Sequence, residues 1–501
     1  MSEAPSETKP DEKKEEKYQL DLESEPVTTE HRIEVNGRTL EYTATAGMLP
    51  LKSSLGEPEA GIFFVAYTLK RTRAAEGNPS ADRPLMFSFN GGPGSSSVWL
   101  HLGAVGPKRV RMTEEGDLPP APYTLEDNAF TWLEETDLVF IDPVGTGYSR
   151  PIKKAGGEKY WGVKGDVESI GEFIRLYLTR YERWASPLFL VGESYGTTRA
   201  AGLSGHLIDQ GIAFNGIVLV SSILNFQTAR FNKGNDLPYI LFLPTYTATA
   251  WYHKRLPEDL QGDLRSTLDQ VEAWAANEYT LALGKGDRMD PEERAKIVRE
   301  LSRFTGLSER YLDLSDLRIN IHQFCKELLR DDKRTVGRLD SRFKGIDASG
   351  VRDVPDYDPS MSAIFPPYTA MLNDYVRRVL GYKTDLPYHI LGGEEKLWQK
   401  WDWGKASDGH PDTSEALRSA LSKNPYMKLF VASGYYDLAT PYFATYYTLS
   451  HLALDPSLRE NIRTEEYEAG HMMYVHTGML RKLKEEVSDF IRSAAPGAHD
   501  R

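Results

Sequence analysis

Five short runs of apolar residues, none of them alternating with polar ones, constrain this chain more than any other feature. They are "LMFSF" (85–89), "LVFI" (138–141), "LFLV" (188–191), "IVLV" (217–220) and "LFVA" (429–432). A strand with one wet face alternates apolar and polar residues. An unbroken apolar run marks a strand buried on both faces, as in a parallel sheet with helices on either side. Helical segments separate several of the runs. Residues 165–184 carry Val167, Ile170, Phe173, Ile174 and Tyr177 at helical spacing, and residues 197–211 carry Ala200, Leu203, Leu207 and Ile208 on one stripe that ends at Gly211. Upstream, two alternating runs flank Asn36-Gly37, a strong hairpin signal, and "GIFFVAYTL" from Gly61 continues the β-rich opening. The pattern predicts an α/β fold: a mostly parallel, doubly wound sheet with an antiparallel entry.

Between about 227 and 400 the strand pattern stops. "DPEERAKIVRELSRFTG" (290–306) reads as a complete helix, with Asp290 as N-cap, Pro291 at the first position, acids in the first turn and Gly306 past the end. "LRSTLDQVEAWAANEYTLAL" and "YTAMLNDYVRRVLG" are also helical in pattern. Because "YMKLFVASG" resumes the sheet, residues 227–400 are expected to be a mainly helical insertion within one sheet domain made of 26–226 and 401–495. The first 25 residues are charged and polar, and are expected to form a disordered tail.

Composition narrows the function classes. A formal net charge of −13 argues against a nucleic-acid binder, which needs a basic face. The single cysteine, Cys325, excludes an intrachain disulfide and is expected to be a buried structural thiol. The N-terminus lacks the apolar core of a signal peptide, and no run of 18 apolar residues occurs. The chain therefore reads as non-membrane, and cytoplasmic as it stands; a removed signal would make it periplasmic or secreted.

Chemistry concentrates where strands end. Gly192-Glu193-Ser194-Tyr195-Gly196 is a G-x-S-x-G between a buried strand and a helix, a setting that lifts a serine hydroxyl above the sheet at a helix N-terminus. Such a serine needs a base oriented by an acid, and on this kind of fold the chain order is serine, acid, histidine. Asp437 in "GYYD" and His471 in "GHMM" stand in that order at strand ends. His451 and His476 compete for the base but follow no strand-end glycine. The loop "NGGPG" (90–94) can bring backbone N–H groups to a reacting carbonyl oxygen, which assigns Gly92 and Tyr195 as oxyanion donors. No metal or other cofactor is expected: there is no H-E-x-x-H motif, no clustered His/Cys/Asp set and no G-K-[ST] phosphate loop.

Taken together, "FNGGPGSSS", "DLVFIDPVGTGYS", "GESYG", "GYYD" and "GHMM", with "GPKRV" and "NAFTW", resemble the serine carboxypeptidases. The resemblance is strong over roughly 85–226 and 425–480. It implies an α/β-hydrolase fold with a large helical cap, and removal of C-terminal residues from peptides through an acyl-enzyme. It carries over Ser194, Asp437 and His471 as the triad, and Asn90, Gly91 and Glu193 as the groups that bind the substrate carboxylate. In the family the glutamate before the serine pairs with a second glutamate, and the shared proton lets the pair bind an anion. Here that second position is Ala104, with His101 three residues earlier as a substitute partner. Two further departures are Ser95, where many members have a cysteine, and Tyr474, where proline is common.

The expected activity is thus a serine-type carboxypeptidase with altered carboxylate recognition, acting on peptides as a monomer or homodimer. An esterase or acyltransferase on the same scaffold shares every triad residue, and Ala104 favours it slightly. A non-catalytic binding protein is disfavoured by an intact triad.

Overall fold

The computed structural model describes residues 17–70, 83–393, 396–404 and 410–496. Its main sheet is built from β1 (Val27–Val35), β2 (Arg38–Lys52), β3 (Pro58–Leu69), β4 (Leu85–Phe89), β5 (Asp137–Ile141), β6 (Leu188–Glu193), β7 (Gly216–Val220), β8 (Lys428–Gly434) and β9 (Ile462–Tyr467). They lie in the order β1-β2-β3-β5-β4-β6-β7-β8-β9, and a two-residue strand, Arg150–Pro151, pairs with β3. The pairs β1–β2, β2–β3 and β3–β5 are antiparallel, and every pair from β5 to β9 is parallel. Asn36 and Gly37 both take positive φ (52° and 73°), the backbone of a two-residue hairpin turn whose twist matches its strands. All five apolar runs are strands of this sheet.

Both faces are covered, which is why those runs do not alternate. Met86, Val191, Val218 and Phe430 point into one core, shared with Leu480, Leu483 and Val487 of the C-terminal helix Thr477–Ala494. Phe87, Leu190, Leu219 and Val431 point into the other, shared with Ile170 and Phe173 of α1 (Val163–Arg180) and Leu203 and Leu207 of α2 (Tyr195–Ile208). This is the α/β-hydrolase arrangement. The chain leaves β4 toward β5 and returns through α1 to β6, so the order in which strands are added reverses between β4 and β6. Loops at such a switch point frame a crevice at the strands' C-terminal ends.

The described residues within 227–400 are mainly helical, with a two-stranded ribbon at 335–336 and 344–345. One part, including Leu237–Tyr252, Leu264–Trp274 and Pro291–Thr305, packs its own core against Tyr436, Leu438 and Tyr442. Within it Asp290 caps its helix by accepting from the N–H groups of Glu292 and Glu293, and Gly306 closes it at φ 69°. Cys325 is buried in this core, and burial pushes its thiol pKa far above the ordinary value. The helix Pro359–Asp374 instead joins the sheet domain's core through Ile364, Tyr368 and Leu372.

The N-terminal tail differs from expectation over its last nine residues. Residues 1–16 lie outside the described residues. The stretch 17–25, expected to be disordered, is anchored: the Tyr18 N–H donates to the Ile152 carbonyl (2.9 Å), and Leu20 and Leu22 pack on the core. Two leucines in a charged context were too little signal to separate this stretch from the tail. Among the described residues no helix is long and apolar enough to cross a membrane.

Candidate active site

Ser194 sits between β6 and α2 with φ 60° and ψ −131°. A non-glycine residue there carries backbone strain of about 1–3 kcal/mol, which persists only where neighbours enforce it. The Ser194 N–H donates to the Val220 carbonyl (3.0 Å), and its own carbonyl accepts from the Thr197 N–H (2.8 Å) and hydroxyl (2.7 Å). The sharpness of the bend also fixes its flank: a Cβ on Gly192 would lie 2.2 Å from the Gly196 carbonyl oxygen.

Asp437 follows β8 and His471 follows β9, and the structure brings them together. His471 Nδ1 lies 2.7 Å from Asp437 Oδ2. The other carboxylate oxygen accepts the N–H groups of Ala439 (2.7 Å) and Thr440 (3.0 Å), and the Thr440 hydroxyl donates to Oδ2 (2.7 Å). An ionised carboxylate only accepts, so Nδ1 carries the hydrogen and Nε2 keeps its lone pair. Burial alone would make His471 less basic; the Asp437 charge and hydrogen bond, with Glu193 nearby, reverse this and raise its pKa above the ordinary histidine value. Ser194 and His471 line one cavity of about 200 Å³. The alternative histidines lie elsewhere: His451 bonds the Tyr447 carbonyl, and His476 caps the last helix beside Glu115.

The 90–94 loop follows β4 and meets the elbow at the switch point. A Cβ on Gly91 would sit 2.4 Å from the Tyr195 backbone nitrogen, so only glycine permits this approach. Tyr195 opens α2, and a first-turn N–H has no partner inside its helix. Gly91, Gly92 and Ser194 line the cavity together. The loop is tied from behind. Ser96 N–H donates to the Ile390 carbonyl (2.9 Å), Gly392 N–H to the Gly94 carbonyl (2.7 Å), and Ser95 accepts from the Trp99 indole (2.9 Å).

Glu193 also lines the cavity, and its carboxyl is buried. Burial pushes its pKa up to about 7, against the opposing pull of His471 and the hydrogen bond of Tyr474, with the Asn90 amide nearby. Its partner is Tyr474, whose hydroxyl donates to Oε2. His101, the substitute partner expected from sequence, does not take that place. Its ring stacks on Phe140 (centroids 4.2 Å apart) and its Nε2 bonds the Tyr67 hydroxyl (2.7 Å). Buried so, it is held neutral, with a pKa lowered to about 3. Ala104 is fully buried, and its carbonyl accepts from Asn128 Nδ2 (2.8 Å). Next to it, a Cβ on Gly103 would lie 2.6 Å from the Tyr474 ring; absence of a side chain there makes room for tyrosine. Asn90 is buried beside this pair, and its Oδ1 accepts from the Leu100 N–H (3.1 Å).

Sequence reasoning missed a strap from the insertion, residues 337–342. The His471 N–H donates to the Leu339 carbonyl (2.6 Å), the Gly470 N–H to Asp340 Oδ2 (3.1 Å), and the Leu438 N–H to the Arg338 carbonyl (3.0 Å). One segment thus holds the loops of both Asp437 and His471. Arg338, Leu339, Met361, Ile364 and Trp398 complete the cavity wall. Most of these contacts use backbone atoms, which leave no residue-type signal.

A mostly parallel sheet with a strained serine elbow at its switch point, and a histidine–aspartate pair at two later strand ends, defines an α/β hydrolase. A family model described as serine carboxypeptidase matches residues 56–484, and the chain belongs to that family. It is similar to serine carboxypeptidase-like 10 of Arabidopsis thaliana, with 24% identity over 80% of this chain and 77% of the relative. Serine carboxypeptidase-like 5 of the same plant is 30% identical over 52% of this chain and 54% of its own length. Among solved structures, a thermostable carboxyl esterase from Bacillus coagulans aligns with 90% of this chain and 99% of its own, at 13% identity and a TM-score of 0.37.

Proposed function

We propose that this chain is a serine-type carboxypeptidase that releases C-terminal residues from peptides. The observation that carries the reading is one cavity holding the Ser194 elbow, the Asp437-bonded His471 and a buried carboxyl, Glu193, that is neutral below about pH 7. His471 Nε2 takes the Ser194 proton as Oγ attacks the scissile carbonyl, and Asp437 stabilises the imidazolium. The N–H groups of Gly92 and Tyr195 receive the oxyanion; each donor is typically worth about 3–4 kcal/mol of barrier. Collapse breaks the C–N bond, and the His471 proton leaves with the amine. Water, deprotonated by His471, then attacks the acyl-enzyme and frees Ser194. Protonated Glu193, with Asn90 and Gly91, donates to the substrate's terminal carboxylate.

The test has two arms. A fluorophosphonate probe is expected to label the wild type and not Ser194→Ala. Blocked dipeptides are then compared as free acid, amide and ester. Faster turnover of the free acid supports the reading. Preference for the ester or amide supports the esterase or acyltransferase reading, which the alanine at position 104 favours. No labelling of wild type, or equal labelling of Ser194→Ala, overturns both.

A further inference from the structure

The cavity has an acid at one place, Glu193, and a base, His471; its wall is otherwise mostly apolar, with Trp99, Ile364 and Leu391 among its members. One cation, Arg338, stands among its described lining residues. The Arg338 backbone is fixed on both sides. Its N–H donates to Asp358 Oδ1 (3.1 Å) and its carbonyl accepts from the Leu438 N–H (3.0 Å), one residue beyond Asp437. Its side chain is not held in the same way. The carboxylate nearest its Nε, Asp358 Oδ2, is 4.0 Å away, past hydrogen-bond reach. Asp358 is already engaged through Oδ1 by the backbone and hydroxyl of Ser360, as the cap of its helix. The Arg338 side chain is 39% exposed.

A guanidinium placed here works against the catalytic base. Its field lowers the basicity of His471, while the Asp437 and Glu193 charges raise it. During acyl transfer His471 must become a cation, so a positive charge beside it that is only loosely paired with Asp358 opposes the step. A carboxylate docked on Arg338 cancels that charge where it matters. Arginine is also suited to the task, since its planar fork matches a carboxylate and cannot lose its proton.

We propose that Arg338 is a carboxylate-recognition point of the active-site cavity, receiving an anionic group of the peptide substrate. The proposal rests on the reading of the cavity as a peptidase site. Two sources supply the same chemistry: the C-terminal carboxylate, or an acidic side chain on a residue flanking the scissile bond. Binding of either couples to catalysis, because it neutralises the charge that opposes imidazolium formation.

The experiment compares wild type, Arg338→Gln and Arg338→Lys on four blocked dipeptides: with or without a glutamate beside the scissile bond, each as free acid and as amide. Fluorophosphonate titration normalises every rate to the folded, reactive fraction. Arg338→Gln is expected to raise KM roughly tenfold or more for substrates bearing the recognised carboxylate, and less than about twofold for those lacking it. Arg338→Lys restores part of the loss. In wild type KM for the recognised substrates rises with ionic strength, since a part-exposed charge is screened, and in Arg338→Gln it stays flat. A loss that follows the free acid assigns the terminus; a loss that follows glutamate assigns the side chain. Equal KM in wild type and Arg338→Gln, or an equal loss on all four substrates, overturns the proposal alone. Wild type that is labelled by the probe yet cleaves none of the peptides overturns the peptidase reading, and this proposal with it.

Discussion

The Tyr474 hydroxyl donates a hydrogen bond to Oε2 of Glu193, a cavity-lining residue 281 positions away in the chain. The phenol fixes one carboxyl oxygen and leaves Oε1 for the substrate. A phenol partner acts oppositely to a second carboxylate. Its O–H stabilises the ionised form of Glu193 and lowers a pKa that burial has raised, whereas a neighbouring negative charge raises it further. Removing the hydroxyl in Tyr474→Phe keeps the ring and loses the donor, so the pKa of Glu193 rises. For free-acid peptides KM is expected to climb above about pH 7 in wild type, and that limb moves to higher pH in Tyr474→Phe. Amide substrates have no carboxylate to repel and lack the limb. Coincident profiles for the two enzymes would show that Tyr474 does not set this titration.

Glu193 also makes stability depend on pH. Its folded pKa of about 7 stands above the ordinary glutamate value of 4.5. Between those values the folded state binds more protons than the unfolded state, so stability falls as pH rises through this window. The loss approaches about 3 kcal/mol as an upper bound, since a tenfold difference in proton affinity between the two states corresponds to about 1.4 kcal/mol. Glu193→Gln cannot ionise. Its Tm relative to wild type is expected to increase from about pH 5 to about pH 7.5, while the KM limb for free-acid peptides disappears. A Tm difference independent of pH would rule out the raised pKa.

What could be read from the chain beforehand was whatever depends on neighbours in sequence. The apolar runs, the Asn36-Gly37 turn and the capped helix at 291–305 follow local rules of period, turn and cap. The elbow around Ser194 was legible for the same reason: strand, glycines and helix are contiguous. Apart from the Asp437–His471 pair, which the order of the strand ends implied, pairings made across the fold were not. His101 looked like the partner of Glu193 because it is close in sequence to the Ala104 position, yet its ring faces Tyr67 and Phe140. Tyr474 stood out only as an odd residue after G-H-M, and its meaning depends on the space over Gly103. The strap at 337–342 was illegible because it works through the Leu339 and Arg338 carbonyls.

That strap makes a separate prediction. Asp340 accepts the Gly470 N–H and pairs with Arg342 through both oxygens (2.9 and 2.7 Å), and both side chains are buried. Removing one partner of a buried pair typically costs about 3–5 kcal/mol. Asp340→Ala is expected to lower Tm by several degrees and to lower kcat as well, because the loop carrying His471 loses a tether. With Asp340→Asn the Gly470 contact can be kept while the charge is lost, so kcat recovers more than Tm. Recovery of both in step would make Asp340 a stabilising residue without influence on the histidine.

Arg199 links the two halves of the proposed oxyanion site. It is fully buried in α2. Its Nη1 donates to the Asn90 carbonyl (2.6 Å) and its Nε to Asp166 Oδ2 (2.7 Å). Its guanidinium also lies over the rings of Phe89 and Tyr195, 5.2 and 5.4 Å from their centroids. The loop after β4 and the helix that starts at Tyr195 are therefore clamped by one side chain. Arg199→Met leaves Asp166 as an uncompensated buried charge, a loss of about 3–5 kcal/mol. Adding Asp166→Asn removes that charge and is expected to return much of the stability. Turnover should stay depressed in the double variant, by roughly tenfold or more, because no group then holds the Asn90 carbonyl and displaced oxyanion donors each forfeit transition-state stabilisation. The loss belongs to kcat rather than KM, since the oxyanion forms only in the transition state. If kcat returns together with Tm in the double variant, Arg199 serves the fold and not the alignment of Gly92 with Tyr195.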